Sequence, residues 1–209
     1  PRDRLRITLL DVGQGDALLI DLPDGSLMLV DGGGTVGSPI DPGARVIAPI
    51  LRARRRKHLD IVVLTHPHPD HFGGLAGALE RVSVGELWDN GQGEREGAGP
   101  VYRALLASLR QRGTRVVRPG ELCGQRQFGA ATVSVLAPCP DFVPGRDGND
   151  NSIVLALSLG QRRALLLGDA EREEEAELVL RHRGALAADF VKLGHHGSRT
   201  SSSPALLAA

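Results

Sequence analysis

The sequence predicts an α/β domain in which two mixed sheets pack face to face with helices outside. Three observations lead there. Short apolar runs of strand period recur along the chain, helical stretches separate them, and the order of strands followed by a helix repeats loosely in two halves. The polar clusters at Asp31, at Leu64 to Leu75, at Asp169 and at Gly194 to Ser198 all fall where an apolar run ends. Loops that converge on one edge of such a sandwich bring these clusters together.

Taken in order, Leu5, Ile7 and Leu9 alternate with Arg6 and Thr8, the period of a half-buried strand, and the run ends in Asp11-Val12-Gly13-Gln14-Gly15-Asp16. Ala17 to Leu22 and Leu27 to Val30 are two further strands joined by a Pro23-Asp24-Gly25 turn, and the second ends at Asp31 before Gly32-Gly33-Gly34. Val46, Ile47, Ile50 and Leu51 space as one face of a helix. The basic run Arg52 to Lys57 at its far end reads as a solvated face that favours the negative helix terminus. Beyond the strand Ile61 to Leu64, the spacing predicts a helix over Leu75 to Val82, a short strand over Glu86 to Trp88 and a glycine-rich loop from Gln92 to Gly99. Tyr102 to Arg112 is an amphipathic helix stopped by Gly113; strands follow at Val116-Val117 and Thr132 to Leu136. Irregular chain from Pro138 leads to Asn149-Asp150-Asn151-Ser152, then a hairpin of Ile153 to Leu159 and Ala164 to Leu167 that ends in Gly168-Asp169-Ala170. An acidic helix, Glu171 to Arg181, precedes the last strand, Phe190 to Leu193, which delivers Gly194-His195-His196-Gly197-Ser198.

The chemistry concentrates in L-T-H-P-H-P-D-H-F-G-G-L. Within six residues it gathers His66, His68, Asp70 and His71, nitrogen and oxygen donors for divalent metals. Pro67 and Pro69 bias His66 and His68 toward extended backbone, so that both imidazoles can face one site, and Asp70 and His71 then turn toward a neighbouring one. Five of the seven histidines lie in this loop and in Gly194 to Ser198, which a merely polar surface loop does not require.

Composition sets limits. At 209 residues, 41% hydrophobic and 24% charged, the chain can bury the core of one large domain. No apolar run approaches the ~20 residues of a membrane span, and the N-terminus lacks a signal-peptide pattern, so a soluble piece is expected. Twenty-five basic against twenty-five acidic side chains exclude nucleic-acid binding by bulk charge. Cys123 and Cys139 are too few for a disulfide framework and read as buried free thiols, which leaves the redox compartment open.

The H-P-H-P-D-H loop, the preceding D-G-G, the later G-D-A and the final G-H-H-G-S occur in the order of the metallo-β-lactamase superfamily, which the chain resembles over nearly its whole length. D-V-G-Q-G-D, N-D-N-S and K-L-G-H-H-G-S resemble, more closely, the C-terminal hydrolase domain of ComEC competence proteins and its relatives, among them phosphorylcholine esterases. The resemblance implies an αββα sandwich holding two divalent ions, Zn or Mn. It implies His66 and His68 on the first ion, Asp70 and His71 on the second, Asp169 bridging them, and His195 or His196 completing the second site. It makes Asp31 the structural aspartate that orients the histidine loop. One ligand departs from the pattern. Many members supply a third histidine to the first site, but no histidine occurs between Phe72 and Asp169. Asp150, Asn149, Cys139 or water could stand there, and Asn151 and Ser198 are further metal or substrate candidates; for Asp150 a capping role is the alternative. After G-H-H-G-S the family usually continues with further strands, so residues 1–209 are expected to be a single domain excised from a larger membrane protein and lacking its last strands.

Two ions bridged by Asp169 would lower the pKa of a shared water from ~15.7 toward neutrality and clamp a phosphoryl or carbonyl oxygen. Whichever of His195 and His196 does not bind metal could protonate the leaving group, and Lys192, Ser198 and Asp16 could position an anionic substrate or a ligand. With four Phe, one Trp and one Tyr, the chain has little to stack bases, so sequence-specific recognition is not expected. Arg52 to Lys57, Arg110 to Arg118 and Arg199 could still meet phosphates. The resemblance implies a nuclease that degrades one strand of incoming DNA beside the membrane channel domain of the same parent protein, on the extracytoplasmic face of a bacterial membrane. A phosphorylcholine esterase or another small-substrate metallohydrolase is the nearest alternative, and a non-catalytic module that guides DNA is the alternative of another class.

Overall fold

The structure, a computed structural model, describes residues 3–209. Two sheets face each other. The first has six strands in the order β1 (Arg6–Leu9), β2 (Leu18–Asp21), β3 (Leu27–Val30), β4 (His58–Leu64), β5 (Ser83–Asp89) and β6 (Arg115–Val117). The second has five, in the spatial order β11 (Phe190–Lys192), β10 (Arg162–Leu166), β9 (Val154–Leu159), β8 (Ala131–Ala137) and β7 (Gly124–Phe128). This is the sandwich the strand pattern predicts. Alternation explains the layers: Leu18, Ile20, Met28, Val30, Ile61, Val63 and Trp88 point inward against Val133, Val135, Leu155, Leu157 and Leu166 of the second sheet. The intervening residues Leu19, Leu29, Leu59, Val62, Leu64 and Leu87 point outward and are covered by Ile47, Leu51, Phe72, Leu75, Tyr102 and Leu106. Leu136, Val154, Ala156, Leu165 and Leu167 meet Leu178, Leu186 and Leu206 on the opposite side. Both faces of the central strands are therefore buried, which is why those strands read as nearly continuous apolar runs.

Strand direction places the site. In the first sheet β3, β4, β5 and β6 run parallel, so Asp31 after β3 and Thr65-His66 after β4 emerge at one edge. The second sheet is antiparallel except for β10 and β11, and that parallel pair carries Asp169 and His195-His196 out at the same end. Ile153 N–H donates to Thr65 O at 2.8 Å and joins the two sheets there. Among the described residues no helix is long and apolar enough to cross a membrane.

Several expectations are corrected. The helix expected over Leu75 to Val82 is a single turn, Leu75–Ala78, and helical backbone begins before Val46, as a π turn over Gly43–Ile47 that continues into Ala48–Ala53. Polar Gly124–Phe128, unassigned from sequence, is an edge strand, where one exposed face removes the apolar signal. Cys123 and Cys139 are not free thiols but form a disulfide across 16 residues. A bridge between a strand edge and a loop has no signature in two isolated cysteines.

Candidate metal centre

Three loops of the first sheet build one side of the centre, and backbone hydrogen bonds lock them together. Gly32 N–H donates to His71 O at 2.7 Å, Gly74 N–H to Gly33 O at 2.8 Å and Gly34 N–H to Gln14 O at 2.9 Å. A side chain at Gly15 is impossible. Its Cβ would stand 1.7 Å from Asp70 O, and φ is +90°. The D-V-G-Q-G-D loop is thereby pressed onto the histidine loop, and Asp16 faces the centre.

Hydrogen bonds fix the imidazoles. Thr65 Oγ1 donates to Asp31 Oδ2 at 2.7 Å, so it can only accept from His66 Nδ1, 3.1 Å away. His71 Nδ1 donates to the same Asp31 oxygen at 2.7 Å. Both rings therefore carry their proton on Nδ1 and turn Nε2 toward Asp169, at 3.9 Å from His66 and 3.2 Å from His71. His196 Nε2 lies 3.3 Å from the same Asp169 oxygen and 3.5 Å from Asp70 Oδ2, while its Nδ1 is 3.5 Å from Asp16 Oδ1. Lys192 donates to Gly168 O at 2.7 Å, contacts the Asp16 carboxylate and stands 3.6 Å from Asp169 Oδ1. One ligand atom from each of Asp16, His71, Asp169 and His196 falls within a 4.8 Å cluster.

The residues fit a divalent ion. Nε2 of His66, Nε2 of His71 and Oδ1 of Asp169 are buried and make no hydrogen bond. Each such atom costs about 1–3 kcal/mol when left unsatisfied. Three together, two imidazole nitrogens and a carboxylate oxygen, are the donor chemistry of Zn, Mn or Fe. Electrostatics agree. Burial alone depresses His71, but the Asp31 and Asp169 carboxylates override it and push its pKa up to about 10. Asp16, Asp169 and Asp70 hold His196 up at about 11. Burial raises Asp169, yet His196 and His71 carry it below the usual carboxylate range. Burial and the charge on His71 keep His66 neutral. The carboxylates demand positive charge here, which protons supply on His71 and His196 and a divalent cation can supply in their stead.

Other candidates from the sequence flank the cluster, and the His68 ring centroid lies 4.5 Å from that of His66. His68 is half-buried beside the Gly148 loop: a Cβ at Gly148 would stand 2.9 Å from its Nε2. Asp70 sits at the rim and accepts from Gln14 Nε2 at 3.3 Å. His195 turns away from the cluster, its Nδ1 against the Glu171 carboxylate and 3.4 Å from Thr200 Oγ1, and Ser198 joins that group through Thr200 at 2.9 Å. The candidates for the missing ligand are corrected. Asp150 caps the helix Arg172–Leu186, accepting from Glu171 N–H at 2.9 Å and Glu174 N–H at 3.1 Å. Asn149 bonds Glu171, Asn151 braces its own loop by accepting from Val143 N–H at 2.7 Å, and Cys139 is spent in the disulfide.

Four supporting residues escaped the sequence reading: Thr65, Gln14, Glu171 and Ser152. Ser152 Oγ accepts from Asp169 N–H at 3.0 Å and lies 3.4 Å from His66 Nδ1, so it touches both halves of the centre. Its only signal was its place at the close of N-D-N-S, immediately before a strand.

Comparison with known proteins accords with this geometry. The family model described as Metallo-beta-lactamase superfamily matches residues 10–209. ComE operon protein 3 of Bacillus subtilis (strain 168) is 30% identical over 209 residues, 94% of this chain and 26% of that protein. Competence protein ComA of Neisseria gonorrhoeae is 28% identical over 209 residues, 100% of this chain and 26% of that protein. The chain thus spans about a quarter of the length of these relatives. The crystal structure of CmlA, a diiron β-hydroxylase from Streptomyces venezuelae, is similar in fold, with a TM-score of 0.51 and 19% identity over 89% of this chain and 34% of that one. With its sandwich, its edge-on cluster of histidines and aspartates and a match across nearly all its residues, the chain belongs to the metallo-β-lactamase superfamily.

Proposed function

We propose that the domain is a metal-dependent phosphodiesterase that cuts single-stranded DNA with little sequence preference. The observation that carries this reading is the convergence of unpartnered His66 Nε2, His71 Nε2 and Asp169 Oδ1 beside His196. His71, His196, Asp169 and Asp16 would hold one ion; His66, with Asp169 and His68, would hold a second, weaker one. Bound ions of this kind activate water and neutralise the charge that develops on a phosphoryl oxygen. Asp31 and Thr65 keep the imidazoles in the ligating tautomer. Lys192 positions the Asp16 and Asp169 carboxylates, and His195, braced by Glu171, is a proton donor for the leaving group at the rim.

The DNA assignment draws on the two relatives, one named Competence protein ComA and the other ComE operon protein 3. On that reading the domain belongs to a larger bacterial membrane protein, works beside its channel domain in DNA uptake, and faces the extracytoplasmic side. The Cys123–Cys139 disulfide supports that side, because such bonds persist in oxidising compartments. A neutral chain holds DNA through few phosphates, so binding by the domain alone is weak and falls gently with salt.

The test is incubation, with Mn²⁺ or Zn²⁺, of labelled single- and double-stranded DNA, a phosphorylcholine ester and a β-lactam, with Asp169→Ala as control. Cleavage of single-stranded DNA that Asp169→Ala abolishes, with circular dichroism unchanged, is expected. Turnover of only the choline ester or the lactam refutes the nuclease assignment. DNA binding without turnover under every metal favours a guiding module instead.

A further inference from the structure

At the end of the first sheet remote from the metal centre lies a cleft of about 800 Å³. It opens beside the start of β4, so the length of that strand, roughly 20 Å, separates it from the histidine loop. Its walls are the helical stretch 43–53 and the turns after Leu75, and its floor is of small apolar side chains, Ala48 and Ala78 among them. Five cations line it: Arg52, Arg55, Arg56, Lys57 and Arg81. None forms an ion pair among the described residues, although Arg54, inside the same run, pairs with Asp21 at 3.0 Å. Glu80 is the lone acid in the lining. Arg55, Arg56 and Lys57 also border an adjoining hollow of about 470 Å³.

We infer that this cleft docks an acidic amphipathic helix of a partner segment. The argument is charge complementarity combined with shape. In a chain of zero formal charge, five unpaired cations around one cleft create a local positive field, and four of them are arginines, whose forked guanidinium matches carboxylates. Residues 48 and 52 form an i, i+4 row on the helix Ala48–Ala53, with Ala44 on the turn before it, and Ala78 and Val82 line the other side. Such rows form the grooves into which the side-chain ridges of another helix pack, and the small residues within them let its backbone come close. A single-stranded polynucleotide fits less well, because no aromatic side chain lines the cleft to stack a base. A bilayer surface fits less well because the site is concave.

The whole 209-residue chain would be titrated against a fluorescent helical peptide of roughly 20 residues, with a leucine stripe flanked by glutamates, and read by anisotropy. Saturable binding is expected, weakened about tenfold or more by Arg52→Glu with Arg56→Glu and, independently, by Ala48→Trp, which fills the floor. Metal stoichiometry and circular dichroism of these variants should match the parent. Binding that the charge reversals leave unchanged, or equal binding of a peptide with lysines in place of the glutamates, overturns the proposal. So does tighter, reversal-sensitive binding of an oligothymidylate or of phosphatidylglycerol vesicles, which would assign the cleft to DNA or to membrane.

Discussion

His71 Nδ1 donates to Asp31 Oδ2 across 2.7 Å, joining two residues forty positions apart, and Thr65 donates to the same oxygen. That one carboxylate oxygen decides which nitrogen of His71 faces the centre. Asp31→Ala removes the acceptor and also strands the buried Thr65 N–H, which bonds the other Asp31 oxygen at 2.8 Å. Divalent-ion affinity should fall about 10–100-fold, and stability by about 1–3 kcal/mol. Competition against a chelator, with thermal unfolding in parallel, reads both. Unchanged affinity would show that the pair does not orient the ring.

The adjacent histidines should part company. His196 approaches Asp16, Asp70 and Asp169, whereas His195 meets Glu171 and Thr200. His196→Ala should therefore lower the bound-metal ratio, while His195→Ala keeps it and loses turnover, by about 10²–10⁴-fold for a lost proton donor. Elemental analysis of both variants decides, and a metal-free His195→Ala protein would reverse the assignment.

Reducing the Cys123–Cys139 bridge, which closes a loop of 16 residues, should cost about 3 kcal/mol through the freed entropy of the unfolded chain. In a domain of this size that lowers Tm by roughly 6–12 °C. A Cys123→Ser, Cys139→Ser protein with the parent's Tm would rule the bridge out as a stabiliser.

Glu174 offers a pH test away from the metal. It is buried, its Oε2 makes no hydrogen bond, and burial together with the nearby Asp150 charge raises its pKa well above 4.5. The unfolded chain releases this proton near 4.5 while the folded chain keeps it, so stability is full below that pH and declines as pH climbs toward the raised folded value. Glu174→Gln should flatten the decline and raise Tm at pH 7 relative to the parent, by roughly 2–4 °C per kcal/mol recovered, with little gain at pH 4. An identical pH dependence in both proteins would contradict this.

The sandwich was legible because both faces of its central strands are apolar, and the centre because histidines seldom crowd a loop without reason. What escaped was long-range or silent in pattern. Ser152 and Thr65 act through single hydroxyls, and polar β7 at the sheet edge carries no apolar alternation. Asp150 shows the opposite case: of the two roles its sequence left open, metal ligand and cap, the structure gives the cap, with its carboxylate committed to two backbone N–H groups of a helix 21 and 24 residues further on. No local rule gives that distance.

His66, His71 and Asp16 ride on the first sheet, Asp169 and His196 on the second, and the full ligand set is assembled only across the seam between them. An ion held there cannot bind either half alone with full strength, so it cannot seed folding; it can only latch a sandwich already closed. Loading should therefore slow unfolding far more than it speeds refolding, which makes the lifetime of the closed state, and with it resistance to proteases, a function of the metal supplied by the surroundings.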